Sequence, residues 1–204
     1  SIESMLEQFP NYIAIEKILS EWGHNSEVDY RYDTDFGAAH FVASSVQMIG
    51  HIDRSFIFEI QDGLDSNGKP LWGRWGLLSH NNFGALEKPR FKALQWLVEI
   101  GDNRLSLLGN GTWVTGLAAK DITNSVIGEK INLVLTNYDS KEKHIEKVPI
   151  TFTRIEPGFF RITQEFLDGR IQVFDVATNS AELKHEVILE PNSVVRIELE
   201  KTGI

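Results

Sequence analysis

Ile13-Ala14-Ile15-Glu16-Lys17-Ile18-Leu19-Ser20-Glu21-Trp22-Gly23-His24 begins as a mostly apolar run and passes into a carboxylate beside an indole. Residues 13–19 are long enough for one buried strand. Upstream, residues 2–9 read as the end of a helix stopped by Pro10. Downstream, Asp33, Thr34 and Asp35 offer caps for a helix. Phe36, Ala39, Val42, Ala43, Val46 and Ile49 follow at i, i+3, i+4 spacing, which predicts a helix closing at Gly50. Residues 55–60 form a second β-rich run, and residues 61–69 a loop rich in Gly, Asn and Asp. Pro89 opens a further helix that ends at Gly101, with Phe91, Leu94, Leu97 and Val98 on one face. The order is strand, helix, strand, helix, with crossovers long enough for parallel pairing.

Past Gly101 the helical period disappears. Residues 113–120, 130–137, 147–153, 159–164, 171–177 and 194–199 are short runs rich in β-branched and aromatic residues. Turn formers separate them: Asn137 to Ser140, Glu156-Pro157-Gly158, Asp168-Gly169 and Glu190-Pro191-Asn192. Asp168-Gly169 reads as a two-residue hairpin turn. This half is expected to be an antiparallel β-sandwich. The predicted class is mixed α and β, divided at residues 1–103 and 104–204. Charge changes at the same point: the first segment holds 8 Lys+Arg against 15 Asp+Glu, the second 12 against 14.

Composition narrows the function classes. The 204 residues are 42% hydrophobic and 24% charged, which describes a globular chain rather than a disordered one. A net charge of −9 argues against a nucleic-acid partner, which requires a basic face. No stretch approaches the ~20 apolar residues of a membrane-spanning helix, so no membrane partner is expected. With no cysteine there is no disulfide, thiolate nucleophile or thiolate metal site. The six histidines (24, 40, 51, 80, 144 and 185) never fall at metal-ligand spacing, so neither a metal nor a cofactor is expected. Asn110-Gly111-Thr112 is the one glycosylation triplet, too common by chance to carry weight.

Glu21 carries the chemical signal. A carboxylate at the carboxyl end of a parallel strand lies where α/β folds build their sites. Trp22 beside it offers a planar apolar wall for a sugar ring. On spacing alone, a Glu that caps a loop or pairs with an arginine is the commoner explanation. Glycosidic hydrolysis needs two carboxylates; Glu59, Asp62 and Asp65 are the acids at and after the second run, where a solvated acidic loop explains them equally well. Trp72, Trp75 and His80 form a further constellation. As a carbohydrate platform or as a plug for one end of a barrel, the two tryptophans read alike.

Five segments in order extend this picture: Ser20-Glu21-Trp22; Phe36-Gly37-Ala38-Ala39-His40-Phe41-Val42-Ala43; Phe56-Ile57-Phe58-Glu59-Ile60-Gln61-Asp62; Trp75-Gly76-Leu77-Leu78 with Leu86-Glu87-Lys88-Pro89-Arg90-Phe91; and a β half holding Leu117 to Asp121, Val134 to Asp139 and Leu189 to Ile197. In that order they resemble the C-terminal part of a clan A glycoside hydrolase, most closely the family 39 β-xylosidase group. The likeness covers nearly the whole chain. It implies that Glu21 is the catalytic nucleophile at the end of the seventh strand of a (β/α)8 barrel. Residues 55–60 would be the eighth strand and residues 89–100 the last barrel helix. Trp22, Asp62, Trp72 and Trp75 are then expected to bind substrate. Gly23 stands where the group has Asn, and Ile57 or Phe58 where it has an eighth-strand Trp.

A whole barrel needs roughly 250 residues, and about 100 precede the sandwich here. The resemblance therefore implies the last two βα units of a barrel plus a companion sandwich, lacking the acid/base and inactive alone. A carbohydrate is the expected substrate, and self-association or a partner chain completing the barrel is expected. The competing reading is a non-catalytic module whose sandwich binds glycan or braces a neighbour.

Overall fold

The computed structural model describes residues 2–12, 14–109, 113–121 and 130–202. Helix α1 (Ile2–Leu6) and a 3-10 turn at Pro10–Tyr12 lead into strand β1 (Ile18–Trp22). Strand β1 thus begins later than residue 13, which itself lies outside the described residues, and it contains Glu21 instead of preceding it. Helix α2 (Asp35–Met48) crosses over, and strand β2 (Arg54–Ile57) returns parallel to β1, pairing Ile18 with Arg54 and Trp22 with Ile57. A short antiparallel pair, β3 (Gly63–Leu64) and β4 (Pro70–Trp72), precedes helix α3 (Pro89–Val98), which starts on proline as predicted.

Eight strands follow: β5 (Asn103–Leu105), β6 (Val114–Asp121), β7 (Lys130–Asn137), β8 (Glu146–Thr153), β9 (Gly158–Phe166), β10 (Ile171–Thr178), β11 (Glu182–Leu189) and β12 (Ser193–Lys201). Six make one antiparallel sheet in the order β10-β9-β12-β7-β6-β5, while β8 and β11 pair separately. The strand pattern missed β5 and β11. The turn at Asp168-Gly169 is longer than two residues: 167–170 connect the strands, with Gly169 at φ 85°. Asn110 to Thr112 lie outside the described residues.

Period two divides the six-stranded sheet between two cores. Leu133, Leu135, Ile162, Val195, Ile197 and Leu199 point inward and meet Ile150 and Phe152 of β8 and Leu183, Val187 and Leu189 of β11. Val134, Val194 and Ala119 point the other way, onto Ala38, Ala39 and Val42 of α2, Ala93 and Trp96 of α3, and Ile100 just past its end. The small residues of α2 let the helix lie close against the sheet. Polar bonds cross the same boundary, with Asn132 Nδ2 donating to the Ile100 carbonyl (3.2 Å) and Arg196 bonded to Glu99 (2.9 Å).

Candidate active site

Glu21 is the penultimate residue of β1, with its side chain exposed. The pairing of β1 with β2 slips between Leu19 and Trp22, so exposure rather than alternation gives the facing here, and Trp22 shows which way is covered. Its indole stacks on Phe41 of α2 at 5.6 Å and 10° and joins the helix–sheet core. Glu21 therefore opens to the side the helices leave bare. Sequence reasoning placed both residues against substrate; strand geometry gives them different neighbours.

The end of β2 assembles beside it. The Phe58 amide donates to the Trp22 carbonyl (3.2 Å), extending the parallel pair by one bond. Segment 75–78 then runs alongside segment 59–62: Glu59 N–H donates to Trp75 O (2.9 Å), Leu77 N–H to Glu59 O (2.8 Å), and Leu78 N–H to Ile60 O (2.9 Å). Gly76 in this seam leaves no room for a Cβ, which would collide with the Asp62 amide and the Leu78 carbonyl. The seam sets Trp75 against Phe58, ring centroids 5.7 Å apart, and Trp72 edge-on to Trp75 at 5.8 Å and 83°. Trp72 is 47% exposed. Burial raises the Glu59 carboxyl, and the charges of Asp62 and, more weakly, Glu21 push it the same way. Glu21, Glu59, Phe58, Trp72 and Trp75 thus gather at the carboxyl ends of two parallel strands.

The other candidates have structural partners. The Asp62 side chain is fully buried, its Oδ1 accepting from Gly76 N–H (2.8 Å) and from Lys88 Nζ (2.8 Å). Asp65 closes a turn by accepting from the amides of Asn67 (2.8 Å) and Lys69 (2.7 Å). His80 Nδ1 accepts from the Asn82 amide (3.1 Å) and caps a 3-10 turn. Glu59 has a structural partner as well, the Gly63 amide, and differs from Asp62 in lacking a buried lysine bonded to it.

Sequence reasoning missed the layer behind Glu21. The His24 ring lies 3.8 Å from that of Tyr32 and meets His40 at 5.8 Å, and His40 meets Tyr138 at 5.3 Å. Burial lowers the His24 pKa against the pull of Asp29, which it bonds at 3.1 Å; burial, then His24 and Arg90, takes His40 down to about 4. Arg31 holds the Asp29 carboxyl well below the usual carboxylate range. The Tyr32 hydroxyl donates to Asn25 O (2.5 Å) and occupies the space a Cβ at Gly23 would need, which accounts for glycine at that position. The one local signal was Gly23 itself, a small residue at a strand end.

No protein-family model and no curated protein matches the chain in sequence. Solved structures do match. The chain is similar to a family 39 glycoside hydrolase from Xanthomonas axonopodis pv. citri (TM-score 0.69, 15% identity, 93% of this chain and 45% of that one). It is similar to a monomeric β-xylosidase from Caulobacter crescentus CB15 (0.72, 17%, 99% and 49%) and to a glucosidase from Croceicoccus marinus (0.72, 14%, 99% and 50%). It spans about half the length of these structures, and at such identities the likeness is one of fold. The chain shares the fold of the C-terminal portion of family 39 β-xylosidases and other clan A glycoside hydrolases.

Proposed function

We propose that this chain is the C-terminal portion of a retaining glycoside hydrolase acting on β-xyloside-like substrates. In this reading β1 and β2 are the seventh and eighth strands of a (β/α)8 barrel. Residues 1–103 belong to the barrel, and residues 104–204 form its companion β-sandwich. The observation that carries it is Glu21, exposed at the carboxyl end of a parallel strand on the face the helices leave open, beside Glu59 and an aromatic wall.

Glu21 attacks the anomeric carbon, and the bond to the leaving oxygen breaks as an acid about 5–5.5 Å away protonates that oxygen. By microscopic reversibility the same acid then takes a proton from water as the glycosyl-enzyme is hydrolysed. That acid comes from another barrel strand, so the chain alone does not turn over. Trp72, Trp75 and Phe58 form the wall for the sugar. Trp22 braces β1 from behind, and Asp62 acts through the loop it anchors; both are set back from the sugar by their packing. The two-sheet half serves as a brace rather than a glycan reader, because Val134, Val194 and Ala119 on its outer face are covered by α2 and α3.

In the full-length protein, Glu21→Gln is expected to lower kcat for an aryl β-xyloside at least about a thousandfold, as loss of a nucleophile does. A 2-fluoro xyloside should label Glu21, located by peptide mass spectrometry. Labelling of Glu59 or of any other carboxylate overturns the assignment.

A further inference from the structure

Between the aromatic wall and α3 lies a buried cluster of charges that the proposed chemistry does not use. Lys88, the residue before α3, is 7% exposed. Its Nζ reaches Asp62 Oδ1 (2.8 Å), Asp33 Oδ1 (2.6 Å) and the main-chain carbonyl of Arg74 (3.1 Å). The Arg74 guanidinium returns to Asp33, and Arg90, the second residue of α3, donates to the carbonyls of Trp75 and Gly76. Asp62 completes the ring by accepting the Gly76 amide. The backbone from 74 to 76 is therefore gripped at both its donors and its acceptors.

That backbone has an unfavourable shape. Gly73 and Arg74 are both left-handed, at φ 67° and φ 60°, a conformation unfavourable for a residue with a Cβ. It is this turn that swings Trp75 onto Phe58 and sets Trp72 perpendicular to it. Left to local preference, a Gly-Arg pair would sample extended forms, and the two indoles would lose their mutual angle. A lysine with three fixed acceptors removes that freedom before any ligand arrives, which is how preorganisation saves binding energy.

We propose that Lys88 is a positioning residue for the Trp72–Trp75 wall, holding the Gly73-Arg74 turn through Asp62, Asp33 and the Arg74 carbonyl. The functional part of this proposal rests on reading that wall as the sugar platform; the mechanical part does not. Lys88→Met alone strands the buried Asp62 charge and endangers the fold. The test therefore uses Lys88→Met/Asp62→Leu, which removes both charges together.

The chain is labelled with 5-fluorotryptophan, and its five indole resonances are assigned by single Trp→Phe replacements. In the double variant the Trp72 and Trp75 resonances are expected to shift or broaden, while Trp22, Trp96 and Trp113 stay in place. Five unmoved resonances overturn the clamp. In the full-length protein the double variant is expected to raise KM for an aryl β-xyloside about tenfold, with kcat changed less than about threefold, the mark of lost uniform binding. An unchanged KM overturns the positioning role. If the unmutated full-length protein shows no turnover, the glycosidase reading falls, and the fluorine spectra alone decide the clamp.

Discussion

His40 shows how a single buried side chain governs tolerance to acid. Buried among Trp22, His24 and Tyr138 with its Nε2 bonded to Ser44, it is neutral when folded, with its pKa down to about 4. In the unfolded chain it titrates at the ordinary 6.5, so the unfolded state binds more protons between those values. Its contribution is whole above pH 6.5 and is lost as pH falls towards 4, by up to about 3 kcal/mol; His24 acts in the same direction. In urea titrations, His40→Leu is expected to narrow the stability gap between pH 7 and pH 4.5. An unchanged gap would show that other groups set the acid limit. Residues also mark what a sequence can disclose. The place of Glu21 at the carboxyl end of a parallel strand was legible from the apolar run before it. The turning of Trp22 into the helix core was not, and neither was the tying of Asp62 into the fold, which depends on Lys88, 26 residues beyond Asp62.

Among the elements, those with a clean period were readable. Helix α2 follows its apolar spacing from Asp35, and β7 and β10 sit within a residue of their apolar runs. Strand β11 escaped because His185 interrupts its inward row of Leu183, Val187 and Leu189, there bonding Gln164 instead of packing as an aliphatic. Strand β1 was placed early because apolar residues before Lys17 looked like its beginning, although Ile15 stays exposed. The tight seam between α2 and the sheet yields a prediction at this scale. Ala39 is completely buried, with its carbonyl 3.4 Å from the Thr136 hydroxyl. Ala39→Leu is expected to destabilise the fold by about 1–3 kcal/mol, read as a lower urea midpoint at unchanged m-value. A neutral result would reveal slack that the packing does not show.

For the whole molecule, the two halves share a core, so neither surface is finished without the other. Residues 104–204 produced alone are expected to uncover Val134, Val194 and Leu117 and to bind a hydrophobic dye that the 204-residue chain binds less. The 204-residue chain has its own unfinished side: Ile18 and Phe56 on the parallel pair, and Ile60 just past it, are all more than half exposed. Strand edges and apolar faces left open in this way promote association. Light scattering after size exclusion is expected to find it larger than a monomer, and a well-behaved monomer would count against the open-barrel reading.

Strand β12 lies in the middle of the six-stranded sheet, between β9 and β7, although it is the last strand among the described residues. During synthesis, β7 and β9 emerge from the ribosome before β12, with a gap between them that β12 alone fills. Ser193 must find Asn137, 56 residues earlier, before the sheet exists as one piece. Folding of this half is consequently slow, as distant pairings are. Until then Ile162, Leu133 and Leu135 wait without their central neighbour, a window in which a chaperone, or another nascent copy, meets them first.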